Sequence, residues 1–347
     1  MPEVRIGSHP VGPGHSVLVI AEAGVNHDGD TGQADRLVEA AQIAGADAVK
    51  FQIFRADSLV VRGAPKAGYQ ARDDSADQYE MLRRLELPPE EFRELARSAE
   101  ERGLLFLASV FDKESLEVLV RFGAKAVKLG SGELTNHPLV GAAARTGLPL
   151  LLSTGASDLA EVRAAVRTFR DGGGRELVLL HCLSAYPAPV EDANLLAIGT
   201  LAAEFGIPVG YSDHTRGPAC AAAAVALGAC VIEKHLTLDR DLPGPDHAAS
   251  SEPEEFYEMV RAVRTVECAL GDGVKRPRPC EEDVRRVARR SVVARRRLTT
   301  GEPVEQDALA ILRPGTGIPP ADLPRVIGKR PRRDVEAGTA LSWEMFE

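Results

Sequence analysis

The chain has 347 residues, of which 44% are hydrophobic and 27% charged, and these proportions exclude a mostly disordered chain, a collagen and a coiled coil. Its formal net charge of −9 argues against nucleic acid as the main partner. The sequence lacks an uncharged apolar run of about 18 residues and a signal-peptide pattern, and its five cysteines are scattered, so we expect a cytoplasmic protein with reduced thiols and no membrane contact.

Short apolar runs alternate with longer amphipathic stretches along most of the chain. The runs are nearly continuous in apolar residues, which is typical of parallel strands buried on both faces. We predict eight strands at 17–24, 48–52, 104–110, 126–132, 149–155, 177–183, 208–213 and 231–236. Eight strands in even alternation with helices favour a (β/α)8 barrel over residues 1–274 rather than a doubly wound sheet. The connection 55–88 is long for a barrel loop, which indicates a functional segment.

The pattern changes after Gly273. Residues 275–290 are rich in Pro and Arg, and we predict a linker that does not readily fold as a helix. A weak repeat follows, in which RLTTGEPVEQDAL (297–309) aligns with DVEAGTALSWEMF (334–346), and it predicts a small β-rich domain over 291–347. Residues 275–347 hold 16 Lys and Arg against 11 Asp and Glu, whereas the rest of the chain holds 26 against 40. The basic tail is therefore either a solvated surface or a part that docks on an acidic one.

Polar residues gather where the predicted strands end, and this is where barrel enzymes place their catalytic groups. Such residues are costly inside apolar strands unless they are paired or functional. They are Glu22, Lys50, Gln52, Ser109, Lys128, Ser131, Glu133, Ser153, Thr154, His181, Ser184, Tyr186, Ser212, Asp213, His214, Glu233 and His235, with Asp246 in the loop beyond.

The residue types at these ends indicate three kinds of chemistry. Two lysines, Lys50 and Lys128, among several serines suit a phosphate or another compact anion, although Lys–Glu pairs could instead be structural. His214 and His235, on adjacent strand ends, could share a metal ion, or could be structural. The carboxylates Glu22, Glu133 and Asp246 are candidates for acid–base work or for holding sugar hydroxyls. Cys182 is predicted to point away from its neighbours.

Several motifs resemble those of one enzyme family in the same order along the chain. They are IAEAGVNHDGD, AVKFQ, VKLGSGEL, LLSTGAS, HCLSAYPAP, GYSDHT, EKHLTLD and GPDHAASSEP. Together they resemble the sialic acid synthases, also called nonulosonate synthases. The tail, with SVVARRRLTTGEPV, ILRPGTGIP and IGKRPRRDVEAGTAL, resembles the antifreeze-like SAF domain that completes these enzymes.

The resemblance implies a reaction. Phosphoenolpyruvate would condense with the open-chain aldehyde of an N-acetylated amino sugar, typically N-acetylmannosamine, giving a nine-carbon 2-keto sugar acid and phosphate. It also implies a divalent metal on His214 and His235, with Mn²⁺ expected first and Mg²⁺ or Co²⁺ as alternatives. A swapped homodimer is implied too, in which Arg313 of the tail reaches the acyl-amino group bound by the partner.

The resemblance assigns the remaining site residues by position. Those implied to hold phosphoenolpyruvate are Lys50, Ser109, Lys128, Ser131, Ser153, Ser184 and Ser212. Those implied to hold or protonate the sugar are Glu22, Gln52, Glu133, Tyr186 and Asp246. Of these, the expected catalytic residues are Glu22, Lys50, Lys128, Glu133 and Asp246.

Two features leave the acceptor sugar open. Ser184 stands where some sialic acid synthases have Asn, and the segment 55–88 resembles that of bacterial synthases acting on varied sugars. Legionaminic-, pseudaminic- and spore-coat-type products are therefore alternatives. A class I aldolase using Lys50 or Lys128 as a Schiff base is a further one. An ice- or sugar-binding protein is less consistent with the residues, because the tail is too charged for a flat ice-binding face.

Overall fold

The computed structural model describes residues 3–347, which divide into two compact units, one ending at Gly271 and one spanning Asp272–Glu347. Among the described residues, no helix combines the length and apolar character that crossing a bilayer requires.

The first unit is a closed parallel barrel, as predicted. Within residues 3–271, eight strands pair in chain order and the last pairs with the first. They are β3 (Leu18–Gly24), β4 (Ala48–Ile53), β5 (Leu105–Val110), β6 (Val127–Leu129), β7 (Leu150–Ser153), β8 (Leu177–Cys182), β9 (Val209–Asp213) and β10 (Val231–His235). The predicted strands overlap these, because a strand buried on both faces is an uninterrupted apolar run. The fourth, predicted over 126–132, is shorter than expected, because Ser131–Glu133 form a 3-10 turn.

Helices surround the barrel and begin where acidic side chains can cap them. Asp30, Asp112 and Asp158 each accept a hydrogen bond from the backbone of the first helical turn that follows. The helices of this unit are α1 (Thr31–Ile43), α2 (Ala56–Leu59), α3 (Gln78–Leu85), α4 (Pro89–Glu101), α5 (Lys113–Arg121), α6 (His137–Arg145), α7 (Leu159–Asp171), α8 (Ala197–Phe205), α9 (Ala219–Ala226) and α10 (Pro253–Leu270).

The barrel interior follows the two-residue period of the strands. On β3, Leu18 and Ile20 belong to the apolar cluster inside the barrel, and Glu22 is the next residue of the same face. The other strands repeat this order, with apolar residues towards the amino end and polar residues towards the carboxyl end. The polar ends therefore form a layer on an apolar base.

A hairpin closes the amino end of the barrel, and the sequence reading missed it. Its strands are β1 (Val4–Ile6) and β2 (His9–Val11), which pair antiparallel. Val4, Ile6 and Val11 belong to the same apolar cluster as the inward residues of the barrel. Strands of three residues are too short to show an alternating pattern.

The second unit contains an antiparallel pair, β11 (Ser291–Ala294) and β12 (Leu309–Leu312), and a short helix, α12 (Leu323–Val326). The two repeat segments pair with each other, since Leu298 and Val335 exchange backbone hydrogen bonds of 2.9 and 3.0 Å. The expectation that the linker lacks a helix was wrong, because α11 (Glu282–Ala288) forms there. Acidic residues in its first turn and Arg285 and Arg286 in its last turn complement the helix dipole.

Candidate active site

The polar strand ends enclose a cavity of about 390 Å³ at the carboxyl end of the barrel. All the site residues expected from the sequence line this cavity, except Glu133 and Arg313. The register explains the convergence, because Glu22 lies opposite Lys50, Gln52 opposite Ser109, and Ser109 opposite Lys128 on neighbouring strands.

Lys50 lies on the floor of the cavity between two carboxylates. Its Nζ is 2.5 Å from Glu22 Oε2 and 3.7 Å from Glu233 Oε2, and it donates to Ser109 Oγ at 2.8 Å. Burial opposes the charge of Lys50, but the two carboxylates outweigh it and raise the pKa of the ammonium. Lys50 therefore stays protonated.

Lys128 is the second buried cation of the floor. It donates to Ser153 Oγ at 2.8 Å and lies 3.7 Å from Glu233 Oε1, which also accepts from Ser212 Oγ at 2.9 Å. Burial lowers the pKa of Lys128. Burial alone would raise the pKa of Glu233, but Lys128 and Lys50 lower it to about 2. Two buried lysines thus lie beside two buried carboxylates in a floor lined with hydroxyls.

At Glu22, in contrast to Glu233, the effect of burial on the pKa outweighs that of the neighbouring lysine. It raises the pKa of this carboxyl, as does Glu233, while Lys50 opposes the rise. Gln52 donates to Glu22 Oε1 at 3.0 Å and fixes its orientation. Glu22 is therefore the floor carboxylate that takes up a proton more readily.

Two more serines meet at Gly155, above the floor. Gly155 N donates to Ser131 Oγ at 3.0 Å, and a Cβ at this position would collide with both the Ser131 and the Ser184 hydroxyls. Cys182 also lines the cavity, with Sγ 3.6 Å from Ser131 Oγ and 3.9 Å from His214 Nδ1. The expectation that Cys182 points away was wrong, because it shares the inward face of β8 with Leu180.

The two histidines face each other at the mouth, with ring centroids 5.5 Å apart. Tyr186 contacts both rings, with centroids 4.2 Å from His214 and 5.8 Å from His235. Asp246 Oδ2 lies 4.0 Å from His235 Nδ1, and burial raises the pKa of this carboxyl to about 6.

The histidine pair fits a divalent metal. In its neutral form, His214 donates its Nδ1–H to the Leu183 carbonyl at 2.7 Å, which leaves the Nε2 lone pair available to a metal. Burial lowers the pKa of this ring, but Cys182 and the Leu183 carbonyl outweigh burial and raise it, so a metal would have to displace a proton there. His235 Nδ1 is buried without a hydrogen-bond partner, and burial together with nearby cations holds the pKa of this ring well below its usual range. In the described part of the chain, no cluster of three or more His, Cys, Asp or Glu side chains has metal-site geometry. The protein would supply two nitrogen ligands and leave other positions to oxygen ligands.

Some of the strand-end residues lie outside the cavity. Glu133 accepts from Asn136 Nδ2 at 2.7 Å and does not line the cavity. Arg313, which was also expected at the site, is an exposed residue of the second unit and directly follows β12. His181 contacts the Ala193 carbonyl, and Asp213 pairs with Lys234 at 2.7 Å. His181 and Asp213 occupy outward positions of their strands and are structural.

Several lining residues come from loops and were missed by the sequence reading. Tyr69 and Gln70 of the 55–88 segment reach the cavity, and the Tyr69 ring lies 4.8 Å from that of Tyr186. Apolar residues also line it, and they are Val25, Met81, Leu82, Leu85 and Phe111. The unusual length of the segment 55–88 indicated that it is functional, but length alone does not show which of its residues face the cavity.

The loop after β3 contains a buried histidine that predicts acid sensitivity. His27 is fully buried, its Nδ1 accepts from Gly29 N at 3.0 Å, and burial lowers its pKa from 6.5 to about 4. Because the pKa of His27 is lower in the folded chain than in the unfolded chain, the unfolded chain binds the proton first on acidification. The stability that is present above the unfolded pKa is therefore lost as the pH falls from about 6.5 to 4. We expect a loss of roughly 3 kcal/mol across this window, at 1.36 kcal/mol for each pKa unit.

Equilibrium unfolding between pH 7 and 4 checks this. The His27→Gln variant, although less stable at pH 7, should lose less stability on acidification than the parent chain. Equal acid sensitivity in both proteins, or an NMR titration of His27 near 6.5, would contradict the prediction.

Comparison with known proteins agrees with this geometry. The profile of the NeuB family matches residues 37–275, and that of the SAF domain matches residues 289–347. The chain is 47% identical over 347 residues to the N,N'-diacetyllegionaminic acid synthase of Legionella pneumophila, covering 98% of each protein. It is 36% identical to human N-acetylneuraminate-9-phosphate synthase over 340 residues, covering 97% of this chain and 94% of that one.

A solved structure extends the likeness to three dimensions. The N-acetylneuraminic acid (sialic acid) synthetase of Leptospira borgpetersenii, crystallised with citrate, superposes with a TM-score of 0.73 at 34% identity. The match covers 82% of this chain and 95% of that one. The resemblance drawn from the motifs is confirmed, and so is the barrel followed by a SAF domain. The chain belongs to the NeuB family, and its relatives include synthases named for N,N'-diacetyllegionaminic acid and for N-acetylneuraminate-9-phosphate.

Proposed function

We propose that this enzyme condenses phosphoenolpyruvate with the open-chain form of a 2,4-diacetamido hexose, giving a nine-carbon 2-keto acid and phosphate. The observation that carries the proposal is the floor of the cavity, where Lys50 and Lys128 lie buried among serine hydroxyls. The acceptor is chosen over N-acetylmannosamine because the relative at 47% identity is named for an N,N'-diacetyl product.

The floor residues suit an anion that carries both phosphate and carboxylate. In the free enzyme, the two lysines are balanced by Glu22 and Glu233. An entering anion meets ammonium groups and hydroxyls that already line the cavity, so little reorganisation is needed. Glu22, whose pKa is raised by burial, can bind a proton and so relieve repulsion from the incoming charge.

The reaction balances with water as the third reactant. Carbon 3 of phosphoenolpyruvate attacks the aldehyde carbon, and water adds to carbon 2. The resulting tetrahedral centre expels phosphate by breaking its carbon–oxygen bond, leaving the keto group. Asp246, with a pKa of about 6, exchanges protons near neutral pH and lies beside the histidine pair, so it is placed to move protons at the sugar end.

His214 and His235 would hold the divalent metal, for which Mn²⁺ is proposed. When bound, it supplies Lewis-acid polarisation of a carbonyl oxygen. Tyr186 packs against both rings and keeps them in place. A swapped homodimer, with Arg313 completing the partner's sugar site, is proposed from the family resemblance, and the opposite charges of the two parts of the chain support it.

Phosphate release tests the proposal directly. We expect phosphoenolpyruvate to yield phosphate only when an N-acylated hexose is present, with the 2,4-diacetamido sugar the best acceptor of a panel. With ¹⁸O in the bridging position of phosphoenolpyruvate, the label should appear in inorganic phosphate. Label retained in the keto acid would contradict the mechanism.

Borohydride trapping distinguishes the proposed synthase from the Schiff-base aldolase alternative. A Schiff-base enzyme would be inactivated by borohydride in the presence of pyruvate, through Lys128, whose pKa burial lowers. We expect no covalent adduct by mass spectrometry, because both lysines are held by serine hydroxyls and lie near carboxylates.

A further inference from the structure

Two loops at the carboxyl end of the barrel are joined by polar residues that the proposed mechanism does not use. The loop after β3 contains Asn26 and Asp28, and the loop after β10 contains His247 and Ser250. We call these four residues the loop clamp. None of the four lines the cavity, whereas Asp246, directly before His247 in the chain, does.

The first link of the clamp joins Asp28 to His247. The ring of His247 is fully buried, and its Nε2 donates to the Asp28 carboxylate, 3.1 Å from Oδ1 and 3.0 Å from Oδ2. Its Nδ1 lies 2.6 Å from Thr237 Oγ1, so both ring nitrogens have a partner. Gln33 Nε2 donates to Asp28 Oδ2 at 2.9 Å. Burial would raise the pKa of Asp28, but these hydrogen bonds lower it, so the carboxylate stays ionised and fixes the ring of His247.

The second link joins Asn26 to Ser250. Asn26 is buried, and its Nδ2 donates to Ser250 Oγ at 2.8 Å and to the Leu236 carbonyl at 2.9 Å. Ser250 Oγ in turn donates to the backbone carbonyl of Asp246 at 2.7 Å. The backbone of Asp246 is therefore held by the loop after β3 through Ser250 as well as through His247.

The local backbone is built around the first link. Asp28 has a φ of +51°, in the left-handed region, which is costly for a residue other than glycine. Contacts of its side chain must offset this cost. Gly244 packs directly on the link, since a Cβ at this position would collide with the Asp28 carboxylate and the His247 ring.

The clamp acts on the sugar end of the site because of where its loops begin. β3 and β10 are neighbouring strands, and His235 lies opposite Glu22 in their register. Asp246 Oδ2 lies 4.0 Å from His235 Nδ1, on the same side of the cavity. A loop that is tied to the end of β3 thus keeps the Asp246 carboxylate at a fixed distance from the histidine.

We infer that Asp28, acting through His247, is a positioning residue that sets the place of the Asp246 carboxylate. This inference rests on the proposed function, in which Asp246 moves protons at the sugar end. Phosphoenolpyruvate would bind on the floor, where Lys50 and Lys128 are held by serines of the strands and not by the clamp. Loss of the clamp should therefore affect the two substrates unequally.

Removal of the Asp28 carboxylate tests the inference. Asp28→Gly deletes it, and glycine adopts the left-handed φ without strain, so the turn itself is spared. We expect kcat/KM for the best acceptor of the phosphate-release panel to fall by about 100-fold, since a displacement of about 1 Å can cost that much. KM for phosphoenolpyruvate should stay unchanged. Asp28→Asn, which keeps a polar partner for His247 and tolerates this φ, should recover most of the loss.

A double-mutant cycle identifies the route through Asp246. Asp246→Asn alone should lower kcat/KM for the sugar. If Asp28 acts by placing Asp246, adding Asp28→Gly to Asp246→Asn should cost little more, because the group to be placed is already lost. Losses that multiply fully would show that Asp28 acts independently of Asp246 and would overturn the inference.

Asp47 supplies a matched control at the other end of the barrel. Its side chain is 25% exposed, as is that of Asp28, and it pairs with Arg264 at 2.6 Å directly before β4. Asp47→Gly should lower the midpoint of thermal unfolding while the folded enzyme keeps KM for both substrates. The same kinetic loss in Asp47→Gly as in Asp28→Gly would reduce the clamp to a structural support.

The outcomes separate the two proposals. Unchanged sugar kinetics in Asp28→Gly, or an equal loss for both substrates, overturns the positioning role while phosphate release by the parent enzyme still supports the synthase reaction. Failure of the parent enzyme to release phosphate with any N-acylated hexose overturns the proposed function itself.

Discussion

Replacement of Lys50 by methionine is expected to lower kcat/KM for phosphoenolpyruvate by about 10²- to 10⁴-fold. The change removes a buried cation that contacts Glu22 at 2.5 Å and Ser109 at 2.8 Å, and it leaves two carboxylates facing an incoming anion. Removing one partner of a buried charge pair between a protein and what it binds costs about 2–5 kcal/mol of binding free energy, and most of that interval corresponds to this range of kcat/KM. Steady-state kinetics with phosphoenolpyruvate varied at saturating sugar measures the effect.

Lys234 provides a matched control for Lys50. Its side chain is 4% exposed, against 3% for Lys50, and it pairs with Asp213 at 2.7 Å, but it faces away from the cavity. Lys234→Met should therefore destabilise the fold by a similar mechanism while the folded fraction keeps its KM for phosphoenolpyruvate. If both variants lose phosphoenolpyruvate use equally, Lys50 supports the barrel and not the substrate.

Replacement of His214 or His235 by alanine is expected to lower kcat by about 10³-fold or more, since Lewis-acid activation contributes several kcal/mol to a transition state. Each variant should also lose tight Mn²⁺ binding, measured by calorimetry or electron paramagnetic resonance without any turnover. Chelator treatment of the parent enzyme should reproduce the loss of activity, and Mn²⁺ should restore it.

His181 is the control for the histidine pair. It lies on β8 near the same end of the barrel, but its ring contacts the Ala193 carbonyl outside the cavity. His181→Gln should keep both Mn²⁺ binding and turnover. Full activity of His235→Ala in chelator-treated buffer would remove the metal from the mechanism.

The strand residues of the site were predictable because two physical rules act on them. Parallel strands of a barrel end at one face, and alternate residues point inward, so Lys50, Ser109, Lys128 and Ser153 had to converge. The same alternation, applied from Leu180, places Cys182 inside the barrel and His181 outside it, which is the reverse of the prediction for Cys182.

The loop residues could not be predicted in this way. The path of residues 55–88 depends on contacts between residues far apart in the chain, such as Gly29 against α3 and the hydrogen bond from Ala56 N to Glu86. No period links Tyr69 to Leu82, so the sequence does not show that both face one cavity. In the second unit, the repeat predicted a small β-rich domain, but it did not predict that Leu298 and Val335 pair with each other.

The hairpin at the amino end of the barrel has a kinetic consequence. Val4, Ile6 and Val11 fill the base of the barrel, so among the described residues the cavity opens at the carboxyl end of the strands. The cavity floor that contains Lys50 and Lys128 lies directly on this apolar base. On the proposed function, a bound sugar would cover the floor, so the substrates would add in a compulsory sequence with phosphoenolpyruvate first. An unreactive sugar analogue would then trap phosphoenolpyruvate beneath it and inhibit uncompetitively against that substrate.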